Sequence, residues 1–205
     1  HQHPSQEPGK TAPLNWPLVL TGLLFLFFYV GSEITFGGWV FTYATTLGLS
    51  SQAAAAYLTS AFWFSFTIGR LLSIPLATRV APQRTIPVAL AGCLLMILLL
   101  AAFPASSAIL WGAAIGLGFF MAPIWPTGFT LVGQSMTLTA RASGIVLLGD
   151  SLGGMVLPWT VGQVLESLGI RAMIWLVLAS LVGNVLAFIG ILKLRKPVVN
   201  QLANQ

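Results

Sequence analysis

Charge is what this sequence has least of. Only 6% of its 205 residues are Asp, Glu, Lys or Arg, and just four of them are acidic. A soluble domain carries about 25% charged residues. Too little polar surface is present to coat a water-soluble globule, which excludes that class. Cysteine is nearly absent as well: Cys93 stands alone in an apolar run, so no intramolecular disulfide can form. The only histidines are His1 and His3, on a polar stretch at the start. No Cys/His cluster with metal-ligand spacing exists, and no motif calls for a cofactor.

What the chain has instead is hydrocarbon. Apolar residues make up 57% of it, and the mean hydropathy is +0.90. Six apolar segments separate, at 17–46, 53–77, 86–103, 108–133, 143–164 and 172–192. Each is close to or above the roughly 17–25 residues an α-helix needs to cross a bilayer. Runs such as LVLTGLLFLFFYV are apolar on both faces for longer than a barrel strand, which excludes a membrane β-barrel. An all-α membrane protein of six transmembrane helices spanning 17–195 is expected, with the lipid bilayer as its surroundings.

Residues 1–16 are polar, contain proline and lack the basic start and short apolar core of a signal peptide, so they are expected to be a tail or linker. An even number of spans puts both ends on one side. Lys10, Arg79, Arg84, Arg141, Lys193, Arg195 and Lys196 fall on that side and Arg171 on the other. The excess predicts cytoplasmic termini, with 196–205 a cytoplasmic tail. It also accounts for the net charge of +5 without nucleic acid as a partner.

A chain of six spans that begins with His1 is read as half of a twelve-helix transporter, lacking an N-terminal six-helix half. Such halves nest two three-helix inverted repeats, and the sequence has that layout. The first span of each triplet holds helix breakers: Gly31, Gly37 and Gly38, then Gly116, Gly118, Pro123, Pro126 and Gly128. Each second span holds a charge, Arg70 or Asp150, and the third spans are nearly bland. Ionisable side chains within a bilayer must face the bundle interior or water. Spans one, two, four and five are therefore expected to line a pathway, with three and six outside.

Three faces follow from helical spacing. On the second span, Tyr57, Ser60, Trp63, Thr67 and Arg70 recur every three or four residues and form one stripe. On the first, Tyr29, Glu33 and Gly37 share a face. Glu33 lies near mid-span, where a charge costs at least about 2.5–3.5 kcal/mol by insertion scales, so a partner, a proton, water or a cation is required. Gly37 and Gly38, one turn on, are expected to let this helix unwind or bend. On the fourth, Pro123 and Pro126 free backbone acceptors around Trp125, followed by Thr127, Thr130 and Gln134. A Trp ring offers an apolar face and an edge donor, a mixture suited to a sugar or to core packing. Arg70 and Asp150, at comparable depth and of opposite sign, are expected to approach each other.

GDSLGG at 149–154 spells a short serine-esterase signature around Ser151. No histidine outside the first three residues is available as a base, and the string falls inside a span. It is read as a membrane helix with Gly153 and Gly154 at a close crossing, and an enzyme is not expected.

YVGSEITFGGWVFTYATTLGLS at 29–50, IGRLL at 68–72 and APIWPTGFTL at 122–131 resemble the C-terminal half of the major facilitator superfamily. The resemblance is greatest to the fucose-permease and sodium-dependent glucose-transporter-like branch, and runs over about 17–195. Glu33 and Trp39 lie in its most specific string. It implies an alternating-access secondary transporter of a hexose-like solute, with coupling to protons or sodium. The faces read above, with Trp39 from the matching string, give the expected pathway: Tyr29, Glu33, Gly37, Trp39, Ser60, Trp63, Thr67, Arg70, Trp125, Thr127 and Asp150. One departure is Thr78, where the loop after the second span often has aspartate in this superfamily; Arg79 and Arg84 remain. Other solutes, a drug-like amphiphile or an organic anion on Arg70, stay open, as does a non-transporting membrane module.

Overall fold

The computed structural model describes residues 14–136 and 139–195. Residues 1–13 of the expected N-terminal tail and the whole C-terminal tail 196–205 lie outside the described residues. The helices are α1 (Trp16–Thr46), α2 (Gln52–Ala77), α3 (Pro82–Ala102), α4 (Ser107–Met121), α5 (Ile124–Ser135), α6 (Ala140–Leu168) and α7 (Ala172–Leu194). α4 and α5 are two pieces of one span, so six helical passes are long and apolar enough to cross a membrane. Helices meet the demand of hydrocarbon that every backbone donor and acceptor be paired within the segment.

Local chemistry sets their ends. Ser51, Ser106 and Thr139 each accept a hydrogen bond from the amide three residues on and so start α2, α4 and α6. α3 starts with Pro82, whose missing N–H costs nothing in a first turn. Gly169, at φ 69°, ends α6 and turns the chain into α7. α3 begins four residues before the apolar run expected from 86, and α6 outruns 143–164 at both ends. Polar residues at the rims stay helical although they are not apolar.

Packing follows a two-fold plan. α1 packs chiefly against α6 and α7, while α4 and α5 pack against α2 and α3. Exchanging the triplets exchanges these neighbours, as an inverted repeat requires. Both main crossings use small residues four apart, which lets backbones approach. On α6, a Cβ at Gly149 or Gly153 would strike the carbonyl oxygens of Leu23 and Phe27. On the other side, Gly118 of α4 sits against Ser65 and the Phe62 carbonyl of α2, and Gly69 against Ala122 and Phe119. The expected Gly153–Gly154 pair is thus corrected to Gly149 and Gly153: Gly154 has only ordinary contacts, the nearest 3.4 Å away. Residues four apart share a helix face; adjacent ones do not.

Two other expectations change. α1 runs unbroken through Gly31, Gly37 and Gly38, because glycine keeps its N–H and can make every helical hydrogen bond. The bland sixth span carries a fully buried Asn184, whose Nδ2 donates to the Phe25 carbonyl of α1 at 2.7 Å.

The coverage of the spans is uneven. In the most apolar stretch of each, 56% of residues are buried in α1 but only 22% in α2 and 28% in α6. The two spans that carry the charges therefore leave the largest faces for something else to cover.

Candidate functional site

The interruption between α4 and α5 organises the site. Pro123 has no amide hydrogen and sits at the start of α5, with Pro126 one turn further. The last carbonyls of a helix have no partner of their own. That of Met121, at the end of α4, is taken by the Tyr29 hydroxyl of α1 at 3.0 Å. Tyr29 is fully buried, and its one proton goes across the break rather than to its neighbour Glu33.

Trp125 occupies the first turn of α5. Its indole Nε1–H donates to Asp150 Oδ1 of α6 at 3.0 Å. Its ring lies parallel to Phe129, with centroids 5.6 Å apart and planes 8° from each other. The Arg70 guanidinium of α2 stands 5.9 Å from the Trp125 ring and 4.9 Å from that of Phe66. Arg70 and Asp150 therefore meet at one indole: Asp150 holds its edge and Arg70 lies over its ring. A hydrogen bond to a charged group contributes about 1.5–3 kcal/mol, and a partly exposed cation–π contact about 0.5–1 kcal/mol. Asp150 accordingly fixes the indole more firmly than Arg70 does.

Glu33 is the carboxylate of α1. It is 9% exposed and lies one turn beyond Tyr29 on the same face of the helix. Among the described residues, contacts thus link Arg70, Trp125 and Asp150 from α2, α5 and α6, while Tyr29, one turn from Glu33, ties α1 to the break. A cation and a carboxylate flank one aromatic donor, with a second carboxylate buried on α1. Such a group can bind a polar solute, exchange a proton or accept a small cation.

The remaining predicted residues take other places. Gly37 is packed under Trp63 and Phe62, where a Cβ would come within 2.7 Å of Trp63. Trp63 is 36% exposed, with Phe62 and Phe66 set edge-to-face around it. It offers a more open ring than Trp125, which Phe129 and Arg70 already engage. Ser60 and Thr67 are exposed, but their hydroxyl protons go to the carbonyls of Ala56 and Trp63 in their own helix. Only lone pairs remain for a ligand there. Thr127 is buried and donates back to the first turn of α5. Trp39 donates Nε1–H to the Pro158 carbonyl at 3.0 Å and ties α1 to α6. Phe66, Phe129 and the Met121 carbonyl were missed in the sequence, although each phenylalanine lies one turn from a singled-out residue, Arg70 or Trp125.

Residues 4–158 match the Major Facilitator Superfamily. The chain belongs to that superfamily. It is 35% identical over 158 residues to sodium-dependent glucose transporter 1A of Mus musculus, which is 77% of this chain and 37% of that protein. It is also 35% identical over 158 residues to sodium-dependent glucose transporter 1 of Homo sapiens, covering 77% and 30% of the two. Major facilitator superfamily domain-containing protein 4A of Danio rerio is 36% identical over 152 residues, 74% of this chain and 29% of that one. The chain thus spans about a third of the length of these curated relatives.

Membership in the Major Facilitator Superfamily places the chain with membrane transporters rather than enzymes. GDSLGG is then a helix-crossing string: Gly149 and Gly153 face α1, and Ser151 is exposed on the flank of α6. Thr78 closes α2 by donating to the Pro75 carbonyl at 2.9 Å.

Proposed function

We propose that this chain is the C-terminal six-helix half of an alternating-access transporter that carries a hexose-like sugar, coupled to sodium or protons. One observation supports this reading above the others: Arg70, Trp125 and Asp150 meet from three spans, two of them the poorly covered α2 and α6, with the buried carboxylate of Glu33 on α1. In this reading those faces meet the N-terminal half, and the ends of the chain are cytoplasmic. The sugar lies between the halves, its C–H face on Trp63 and its hydroxyls toward Glu33 and the lone pairs of Ser60 and Thr67. Relatives named as sodium-dependent glucose transporters favour the sugar and the cation over other solutes.

Glu33 and Asp150 are the carboxylates that would hold the cation, and Trp125 carries the consequence. A cation held by Asp150 draws on the same oxygens that accept from the indole, and so competes with that charge-assisted hydrogen bond. The indole is then freer to move, and Arg70 with it.

The test is uptake of a sugar panel by the full-length protein with Glu33→Gln, normalised to surface expression, across external sodium and pH. Glutamine keeps the size and much of the hydrogen bonding but not the charge. Uptake is expected to fall about tenfold or more, equal to at least about 1.4 kcal/mol of lost stabilisation, with insertion unchanged. Wild-type uptake with an unaltered sodium and pH profile would refute the role of Glu33. Uptake of an organic anion in place of any sugar would move the reading to Arg70 as the ligand contact.

A further inference from the structure

A cavity of about 740 Å³ opens between the C-terminal part of α2, the turn at 78–81 and α5. It begins at Arg70, where the cluster described above ends, and runs to Arg79 in the turn. From Arg70 to the last residue of α2 is about 10 Å at 1.5 Å per residue, so the cavity extends from within the span to its rim. Two guanidiniums line it and no carboxylate does. Ser73, Thr78, Thr130 and Gln134 add hydroxyl and amide groups. Leu71 and Ile74 make the rest of the α2 wall apolar, and both are more than half exposed.

The missing carboxylate is the informative feature. Beside Arg79, Thr78 spends its proton on the Pro75 carbonyl, and no Asp or Glu lines the cavity. Arg79 is thus a permanent cation beside an amphiphilic cavity that contains no counter-charge. A guanidinium presents a fork of donors matched to tetrahedral oxyanions, while the Leu71–Ile74 wall suits a hydrocarbon chain.

We propose that this cavity is a binding site for a phosphate group, with Arg79 as its principal ligand and Thr130 and Gln134 on the opposite wall. The phosphate comes either from a phospholipid headgroup or from a soluble phosphate. The site does not depend on the identity of the transported solute.

The test is thermal unfolding of the full-length protein in nanodiscs. One arm compares phosphatidylcholine with phosphatidylcholine containing phosphatidylglycerol. The other compares sodium phosphate with sodium chloride at matched ionic strength in phosphatidylcholine alone. Arg79→Gln removes the cation from an exposed turn, and Thr130→Phe fills the cavity from the α5 side. Each variant is scored by its own difference with and without the probe, so a change in basal stability does not enter. A rise in Tm of several degrees is expected in at least one arm, and both variants should reduce it at least threefold. A rise with phosphatidylglycerol only assigns the lipid source, and a rise with inorganic phosphate the soluble one. No rise in either arm, or an equal rise in both variants, overturns the proposal.

Discussion

The first and fourth spans occupy equivalent places in the two triplets, yet one is a continuous helix of 31 residues and the other is broken into pieces of 15 and 12. Both were marked by helix breakers. The difference lies in what each breaker removes. Glycine removes a side chain: at Gly31 and Gly37 of α1 it admits Leu157, Phe62 and Trp63 close to the backbone while the helix continues. Proline removes an amide hydrogen, and around Pro123 and Pro126 the helix is interrupted and its Met121 carbonyl is left for Tyr29. Glycine therefore brings neighbours nearer, whereas proline opens the backbone to them. The site uses both, with a carboxylate from the intact span and a freed carbonyl and Trp125 from the broken one.

The contrast can be broken most severely at the crossings. Gly153→Val should prevent stable folding, because its side chain would meet the backbone of α1 rather than a movable side chain. The loss should exceed the about 1–3 kcal/mol usual for overpacking. Gly154→Val, one residue on, should leave the melting temperature within a degree or two. Thermal melting of the purified proteins separates the two, and equal behaviour would contradict the crossing geometry.

A smaller effect is expected from the charges on the second spans. Asp150→Asn keeps an acceptor for Trp125 but removes the charge-assisted part of the bond, about 1 kcal/mol. Cation dependence of uptake should weaken more than sugar affinity. Trp125→Phe should reproduce the defect, and the double variant should add little to it, which a double-mutant cycle measures. Full additivity would mean that indole and carboxylate act separately.

Next comes Tyr29→Phe, which deletes the bond across the break and should cost about 1 kcal/mol, read as a lower melting temperature. The smallest effect compares adjacent glycines of α1. Gly38 has open space around its Cβ position and Gly37 does not. Gly38→Ala should be neutral or stabilising by up to about 1 kcal/mol, while Gly37→Ala should destabilise by pressing on Trp63 and Phe62. Melting curves that rank them the other way would remove Gly37 from the Trp63 packing.

The number of spans was legible in the sequence because length and hydropathy register directly in composition. Arg70 and Asp150 stood out for a similar reason, since an ionisable group in a bilayer has few places to go, and both lie at the Trp125 indole. What stayed hidden depended on pairing between distant helices. Nothing near Trp125 in the chain marks Asp150 as its acceptor, and nothing marks Pro158 as the partner of Trp39. Gly149 was hidden in a familiar-looking string, and its role appears only from the four-residue spacing to Gly153. The unbroken α1 was misjudged because glycine and proline were weighed alike, although only proline deletes a donor.

The bond from Asn184 to the Phe25 carbonyl joins residues 159 positions apart, and α1 has its most extensive packing on α6 and α7, far from it along the chain. During synthesis α1 therefore enters the bilayer with Glu33 on its face well before its partners α6 and α7 follow. Contacts of such long sequence separation form late, and an exposed intermediate is open to aggregation. A chain stopped before Ala172 would leave the Phe25 face of α1 without Asn184 and open to other helices in the bilayer. Docking of α7 on α1 thus distinguishes a completed six-helix unit from a truncated one.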